Sequence, residues 1–308
     1  MNVLLIDIGG TNYRYAYGNS LTNEIQNISH QSLKEINNFE KIFSNLLELN
    51  DNKITHTVIS IAGPRVKNSI TMTNRNFHVD SNKLKKKFNL DSINILNDWE
   101  AIGYSFLKIE KNELLSIKEG SKFNNNSLFF GPGTGLGSSM LIDNKIVLPS
   151  EIGNTNFMVD SLLKNYDPKF NKSEFIKLED LMSGPGLSKI FKALYGENKT
   201  SQEIFELAKN NDKNAVNIIE SFIKTLANIL ADLSLIHMPG NGIYLIGSMV
   251  RSLHELIDKE TFRRNFLSFK GSSHLEILNL IKIDTVNKRH LALYGNLNYF
   301  NLSQKDLV

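Results

Sequence analysis

The sequence predicts an α/β protein in which one structural plan occurs twice. Apolar runs of strand length alternate with longer segments whose apolar residues have helical spacing. A strand hairpin opens the chain at residues 2–19, and a second hairpin pattern begins at residues 126–149. The first turn of each pattern is rich in glycine and carries a threonine, "DIGGTN" at 7–12 and "GPGTGLG" at 131–137. We interpret this repetition as a weak internal duplication.

The first half reads as a hairpin followed by alternating helices and strands. Its strands end at glycine, proline or polar residues, and its helices have apolar residues three and four apart. We predict strands at "NVLLIDIGG" (2–10), "NYRYAYGN" (12–19), "THTVISIAGP" (55–64) and "SINILND" (92–98), and helices at "HQSLKEINNFEKIFSNLLEL" (30–49) and "WEAIGYSFLKI" (99–109).

The second half repeats this order with longer helices. Three strands joined by turns come first, and a strand that meets another glycine turn comes near the end. We predict the strands in "NSLFFGPGTGLGSSMLIDNKIVLP" (126–149) and "NGIYLIGSMV" (241–250), and helices at "EDLMSGPGLSKIFKALYG" (179–196), "SQEIFELAKNN" (201–211), "DKNAVNIIESFIKTLANILADLSLIHM" (212–238) and "RHLALYGNLNYFNL" (289–302).

Composition excludes several functional classes. The 308 residues are enough for two domains, and a hydrophobic content of 41% is enough to fill their cores. A net charge of +3 does not require a nucleic-acid partner, and we interpret the basic run "KLKKKF" (83–88) as a solvated helix face, with an anion-binding patch as the alternative. The chain has no cysteine, which excludes a disulfide framework and a cysteine zinc site.

The sequence shows no segment that targets the chain to a membrane. The first residues enter an apolar strand directly, without a basic leader or a cleavage site, and no apolar run approaches the ~18 residues of a spanning helix. We therefore expect a cytoplasmic protein that does not contact a membrane.

The glycine turns are typical of a phosphate site, but not of the two commonest kinds. No run matches the P-loop pattern, and the glycines of "GPGTGLG" precede a strand rather than the helix that a dinucleotide fingerprint requires. Unshielded backbone N–H groups at a hairpin tip bind anions, and Thr11 and Thr134 add hydroxyl donors. Asp7, just before the first turn, would face the metal ion of a polyphosphate, directly or through water. The alternative is that both turns are only tight hairpins.

The order and spacing of these motifs resemble those of the bacterial glucokinases, over nearly the whole chain. "DIGGTN" resembles the first phosphate motif of that family, "GPGTGLG" the second, and "LIGSMV" (245–250) the adenosine motif. Further segments that match in order are "LNDWEA" (96–101), "TMTNRNFHVD" (71–80), "LPSEIGNTNF" (148–157) and "EDLMSGPGL" (179–187).

The resemblance implies an actin-like (ribonuclease H-like) ATPase fold with two α/β lobes and a duplicated βββαβαβα plan. The smaller lobe is expected at 1–107 plus 289–308 and the larger at 108–288, with the active site in the cleft between them. The implied activity is ATP- and Mg²⁺-dependent phosphorylation of glucose on its 6-hydroxyl. A homodimer with no nucleic-acid partner is also implied.

The resemblance assigns roles to individual residues. Asp98 would accept the proton of the attacking hydroxyl, which suits phosphoryl transfer because this reaction needs an oriented acceptor. From the sequence alone, Asp98 is equally well interpreted as the N-cap of the next helix. The implied sugar contacts are Asn97, Asp98, Glu151, Asn154 and Glu179. The implied nucleotide contacts are Asp7 (with Mg²⁺), Gly9, Gly10, Thr11, Asn12, Gly133, Thr134, Gly135, Gly247 and Ser248.

Two departures from the family pattern concern the sugar. The family commonly reads E-G-G-H-x-D-F, whereas this chain has "EIGNTNF", with Asn154 in place of a histidine and Asn156 in place of an aspartate. An unpaired buried polar group costs about 1–3 kcal/mol, so these changes bear on which sugar is accepted. A kinase for another hexose or an amino sugar, and a non-catalytic sugar or nucleotide sensor, therefore stay open. Ser248 also replaces a glycine of the adenosine motif, but a small residue is kept.

Overall fold

A computed structural model describes residues 1–33, 39–49, 54–72, 77–167, 174–268 and 271–305. The chain divides into two compact units. The first unit contains Met1–Ile109 and Lys288–Val308, and the second contains Glu110–Asn287. The first unit is therefore built from the two ends of the chain.

Strands and helices alternate through both units. The strands are β1 (Asn2–Ile8), β2 (Asn12–Asn19), β3 (Glu24–Ser32), β4 (His56–Ile61), β5 (Arg65–Val66), β6 (Ser69–Thr71), β7 (His78–Asp80), β8 (Ser92–Asn97), β9 (Leu114–Lys118), β10 (Ser127–Pro132), β11 (Leu136–Ile142), β12 (Ile146–Ser150), β13 (Gly242–Leu245) and β14 (Ile283–Val286). The helices are α1 (Phe39–Glu48), α2 (Ser81–Phe88), α3 (Asp98–Tyr104), α4 (Val159–Leu162), α5 (Gly184–Tyr195), α6 (Ser201–Lys209), α7 (Lys213–His237), α8 (Ser248–His254), α9 (Lys259–Phe266), α10 (Ser272–Leu280) and α11 (Leu291–Lys305).

The first unit is organised around a five-stranded sheet of order β3-β2-β1-β4-β8. Strand β1 is antiparallel to β2 and parallel to β4, which in turn is parallel to β8. Leu4 and Ile6 of β1 pack in one apolar cluster, with α1, and Val3 and Leu5 pack in another, with α11. Burial on both faces explains why β1 is a continuous apolar run rather than an alternating one.

The second unit repeats this sheet. Its strand order is β12-β11-β10-β13-β14-β9, and β10 is antiparallel to β11 and parallel to β13. The first five strands in this order therefore correspond to β3-β2-β1-β4-β8, with β9 added at the edge. This correspondence confirms the predicted duplication. The 25-residue helix α7, with buried residues along its whole length, provides much of the apolar core of this unit.

The helix predicted at 30–49 is wrong at its start. Residues 30–32 belong to β3, which pairs with β2 along its length, and α1 begins only at Phe39; residues 34–38 of the predicted helix lie outside the described part. Strand β3 is largely exposed, so it lacks the alternation of apolar and polar residues that identifies a strand. The helix predicted from residue 179 also begins later, at Gly184, after a 3₁₀ turn over Leu178–Asp180.

Helix α11 packs closely on α3 at Gly295. A Cβ atom at this position would lie 1.7 Å from the carbonyl oxygen of Ala101 in α3. The next residue, Asn296, is fully buried and donates from Nδ2 to the carbonyl oxygen of Ile6 in β1, at 2.9 Å. The carboxy-terminal helix therefore supports both β1 and the helix that begins with Asp98.

Among the described residues, no helix combines the length and the apolar character needed to cross a membrane.

Candidate active site

The first glycine turn joins β1 to β2. The Gly9 N–H donates to the carbonyl oxygen of Asn12 at 2.9 Å, and the Leu33 N–H donates to the carbonyl oxygen of Thr11, also at 2.9 Å. The Thr11 side chain is exposed and accepts a hydrogen bond from the Asn12 amide at 3.1 Å. The turn therefore has a fixed backbone and an exposed hydroxyl.

Asp7 lies below this turn and is almost completely buried. Its carboxylate accepts from Nη1 of Arg14 at 2.9 Å, directly across the hairpin, and from the Ser60 hydroxyl at 3.4 Å. Burial raises the pKa of the Asp7 carboxyl, and Arg14 partly offsets this effect. Arg14 was missed in the sequence, although its place seven residues after Asp7 puts it opposite Asp7 in the hairpin.

The second glycine turn joins β10 to β11 and has the same features. The Gly133 N–H donates to the carbonyl oxygen of Gly135 at 2.8 Å, and Thr134 is exposed. The carbonyl oxygen of Gly133 accepts from the N–H of Gly184, the first residue of α5, at 2.8 Å. Each unit thus presents one glycine turn with one exposed threonine.

Neither packing nor backbone conformation explains one glycine in each turn, Gly9 in the first and Gly133 in the second. A Cβ on Gly133 would meet nothing nearer than 4.0 Å, and one on Gly9 would be in ordinary contact at 3.5 Å. Neither residue is among those with positive φ. By contrast, a Cβ on Gly153 would lie 2.3 Å from the carbonyl oxygen of Leu136. Space left open above unshielded backbone fits the close approach of a phosphate.

Gly247 and Ser248 lie beside the second turn. Strands β10 and β13 are parallel, so their carboxyl ends meet at one edge of the sheet. Gly247 has φ of +125°, a conformation that favours glycine, and a Cβ there would be 3.5 Å from the carbonyl oxygen of Pro132. Ser248 begins α8. The second glycine turn and the adenosine-like motif are therefore neighbours in the second unit.

Asn97 and Asp98 lie at the same sheet edge as the first turn. The strand register aligns Ile8 with Ile61 and Ile61 with Asn97, so these residues end three adjacent parallel strands. Polar residues at such an edge are typical of ligand sites in α/β sheets.

Asn97, rather than Asp98, is the N-cap of α3. Its Oδ1 accepts from the N–H groups of Trp99 and Glu100, at 2.9 and 3.3 Å, and its Nδ2 donates to the carbonyl oxygen of Gly63 at 2.9 Å. Asp98 is the first helical residue, and its Oδ1 accepts from the Trp99 N–H at 3.0 Å. The alternative interpretation of Asp98 as the helix cap is wrong, because Asn97 performs that role.

An ion pair supports the start of this helix. Glu100 is 3% exposed, and it accepts from Nη2 of Arg65 at 3.0 Å and from the Asn97 N–H at 3.3 Å. Burial raises the pKa of the Glu100 carboxyl, and Arg65 opposes that rise. The pair therefore fixes the turn of backbone that carries Asp98.

Replacing Arg65 by Met should lower the free energy of unfolding by about 1–3 kcal/mol at about pH 7, because Glu100 would be left buried without its cation. The loss should shrink as the pH falls towards about 4, since Glu100 then binds a proton and needs no counter-charge. Urea unfolding of wild type and variant at both pH values measures this change in the free energy of unfolding. Lys87→Met, which removes an exposed ion pair with Glu40, is the matched control and should cost under about 0.5 kcal/mol. Equal effects of the two substitutions would contradict the prediction.

Three of the predicted sugar contacts form one cluster in the second unit. Asn154 donates from Nδ2 to Oε2 of Glu151 at 3.2 Å and accepts at Oδ1 from Lys177, at 3.1 Å. Lys177 also forms an ion pair with Glu179. Glu179 in turn accepts from the Leu136 N–H at 3.4 Å, next to the second glycine turn. Lys177 was missed in the sequence, where only its position two residues before Glu179 indicates it.

Backbone contacts hold the two loops of this cluster together. The Leu178 N–H donates to the carbonyl oxygen of Thr155 at 2.7 Å. The Asp180 carboxylate accepts from the N–H groups of Ile176 and Lys177, at 2.9 and 3.1 Å, and so closes its own loop. Asp180 therefore stabilises its own loop. Of the two neighbouring acids, Glu179 and Asp180, Glu179 is the one that contacts the Lys177 ammonium. Asn156 lies exposed on the first loop.

In the described part of the chain, no group of three or more His, Cys, Asp or Glu side chains is arranged to hold a metal ion. Asp7 is a buried carboxylate below a phosphate-type turn. This fits Mg²⁺, which commonly binds through one or two carboxylates together with substrate phosphates and water.

Comparison with known proteins gives consistent results. A family model described as Glucokinase matches residues 4–302. The glucokinase of Colwellia psychrerythraea is 28% identical over 97% of this chain and 96% of its own length. The bifunctional protein glk of Burkholderia lata is 26% identical over 85% of this chain, but the chain spans only 43% of the length of that relative. The crystal structure of a glucokinase from an Antarctic psychrotroph superposes with a TM-score of 0.81 at 22% identity, covering 97% of this chain and 98% of that one.

The structural similarity confirms the predicted fold class, which this chain shares with glucokinases. The match of the family model to nearly the whole chain confirms the resemblance seen in the sequence motifs. By the match of the family model to its sequence, the chain belongs to the glucokinase family.

Proposed function

We propose that this chain is an ATP-dependent hexose kinase that transfers the γ-phosphoryl group of ATP to the 6-hydroxyl of glucose. The observation that carries the proposal is the pair of open glycine turns, one in each unit, together with a carboxylate, Asp98, at the sheet edge of the first turn. Phosphoryl transfer requires little of the protein beyond positioning, charge stabilisation and an oriented nucleophile. The two turns and Asp98 supply groups suited to these tasks.

The proposed nucleotide site uses backbone groups more than side chains. The N–H groups around Gly9, Gly10, Gly133 and Gly135 would bind phosphate oxygens, with Thr11 and Thr134 as hydroxyl donors. Asn12 would support the first turn, and Gly247 and Ser248 would bind the adenosine. Asp7 would face the Mg²⁺ ion, which supplies charge neutralisation when it is bound with ATP.

The proposed sugar site uses carboxylate and amide side chains. Asp98 would accept the proton of the 6-hydroxyl as this oxygen attacks phosphorus, and ADP leaves with the electrons of the broken bond. Asn97 would orient the start of α3 and offer its remaining amide N–H to the sugar. Glu151, Asn154 and Glu179 would bind other hydroxyls. A homodimer, which the resemblance implies, and a cytoplasmic location complete the proposal.

A coupled assay of ADP release with Mg-ATP and a panel of neutral hexoses tests this function. Turnover with glucose is the expected result. Turnover with only a different hexose would show that this hexose, and not glucose, is the substrate. The proposed reaction type would still hold. Sugar binding without turnover of any hexose would contradict the proposal and favour a sensor.

A further inference from the structure

We infer that Lys177 is a specificity-determining residue of the sugar site, which orients Asn154 and favours a neutral hexose over a protonated amino sugar. The inference rests on the proposed function, because it assigns Lys177 a role in the sugar site proposed there. It is carried by the contacts of one side chain. The Lys177 ammonium contacts both Asn154 and Glu179, which come from different loops of the second unit.

The contacts of Asn154 fix the orientation of its amide. An ammonium group only donates hydrogen bonds and an ionised carboxylate only accepts them. Oδ1 of Asn154 must therefore face Lys177, and Nδ2 must face Glu151, as the distances of 3.1 and 3.2 Å indicate. Without Lys177, Oδ1 loses this donor, and the amide is oriented less firmly, through its contact with Glu151. A site that recognises hydroxyls by fixed donors and acceptors loses affinity when one of them rotates away.

The cluster keeps hydrogen-bonding groups available for a ligand. Lys177 has three N–H donors, of which the two contacts occupy two, and Asn154 has a second N–H on Nδ2. The Lys177 side chain is 40% exposed and that of Glu179 is 24% exposed, so a ligand has access to both. Carboxylate acceptors alternating with amide and ammonium donors suit the hydroxyls of a neutral sugar, each of which both donates and accepts.

The charges of the cluster explain the selectivity. Glu151 and Glu179 carry two negative charges and Lys177 carries one positive charge, which leaves a net charge of about −1. Removing the Lys177 cation leaves two carboxylates and no counter-charge. Such a pair attracts a protonated amine more strongly than it binds a neutral hydroxyl. Lys177 therefore reduces the affinity of this site for cationic sugars while it strengthens the binding of neutral ones.

The test compares Lys177→Met with wild type and with Lys177→Arg, using Kd values from calorimetry and steady-state kinetics. For Lys177→Met, Kd and KM for glucose should rise about tenfold, as expected for the loss of a charged hydrogen bond. Meanwhile kcat should change by less than about threefold, because the 6-hydroxyl and Asp98 are not touched. Lys177→Arg keeps the charge and the donors, so its Kd should stay within about threefold of wild type.

A second readout separates specificity from a general loss of structure. At about pH 6, where an amino sugar is protonated, Lys177→Met should raise the ratio of glucosamine to glucose affinity about tenfold. Lys209→Met is the matched control, because it removes an exposed lysine paired with Glu206 and Glu255 in the same unit. This control should leave both sugar affinities unchanged.

The outcomes distinguish this inference from the proposed function. If the wild-type chain binds glucose without turnover, the kinase proposal fails, but the Kd values still decide the role of Lys177. An unchanged glucose Kd in Lys177→Met, or an equal effect of Lys209→Met, would overturn the inference alone. A fall in kcat with unchanged KM would also overturn it. If the wild-type chain binds neither sugar, both proposals are overturned.

Discussion

Replacing Asp98 by Asn is expected to lower kcat for the proposed hexose kinase by about 10²–10⁴-fold, the contribution typical of a general base. The amide introduced by Asp98→Asn keeps an oxygen that can accept from the Trp99 N–H, as the carboxylate does at 3.0 Å, so the start of α3 should be preserved. The amide cannot accept the hydroxyl proton, however. Glucose affinity should therefore fall by much less than the rate. Steady-state kinetics and calorimetry of glucose binding measure the two effects separately.

Asp91 provides the matched control for this substitution. It is exposed and immediately precedes strand β8, whereas Asp98 follows the same strand at its other end. Asp91→Asn should leave kcat within about twofold, since surface changes of this kind rarely alter stability by more than about 0.5 kcal/mol. Near-normal turnover in Asp98→Asn would show that this carboxylate is not the base.

The second large effect is expected for Gly295→Ala, in the contact between α11 and α3. The added Cβ would lie 1.7 Å from the carbonyl oxygen of Ala101 and 3.1 Å from the backbone nitrogen of Ser105. Both neighbours are backbone atoms, so the two helices must separate. Overpacking of this kind typically costs about 1–3 kcal/mol, and we expect the upper end of that range. Because α3 begins with Asp98, kcat should also fall.

Unfolding in urea and the rate of ADP release measure the two consequences of Gly295→Ala. Gly271→Ala is the control, because a Cβ there would be in ordinary contact, 3.6 Å from Nδ1 of His274. It should cost less than about 1 kcal/mol and leave the rate unchanged. If Gly295→Ala were as stable and as active as Gly271→Ala, the contact would not govern the position of α3.

The sequence predicted those features that depend on local pattern. The glycine turns, the buried strands on either side of them and the long helix α7 have strong periodicity or special residues, and the structure contains all of them. The last three residues of β3, 30–32, were predicted as the start of a helix because β3 is an exposed edge strand, whose residues follow no apolar alternation. Its pairing with β2 is a long-range contact that single-sequence periodicity does not report.

The sequence also could not reveal the contacts between residues that lie far apart in the chain. That Asn97 rather than Asp98 caps α3 depends on which side chain reaches the free N–H groups, and both residue types cap helices well. No sequence pattern distinguishes Lys177 from a surface lysine, since its role depends on the contact of its loop with Asn154. The loop that carries Asn154 packs against β11 at Gly153, where a Cβ would lie 2.3 Å from the carbonyl oxygen of Leu136, and this close approach explains how the distant segments meet.

The discontinuous make-up of the first unit has a consequence for synthesis. Residues 1–109 are synthesised before the second unit, but α11, which packs on β1 and α3, is made only after that unit. Until then, the apolar cluster around Val3, Leu5 and Leu96 lacks the side chains of Leu293, Leu297 and Phe300. The second unit is continuous and can fold during translation. The support that α11 gives to α3, and so to Asp98, is thus present only in chains translated through α11, so truncated products should be less active and more prone to proteolysis.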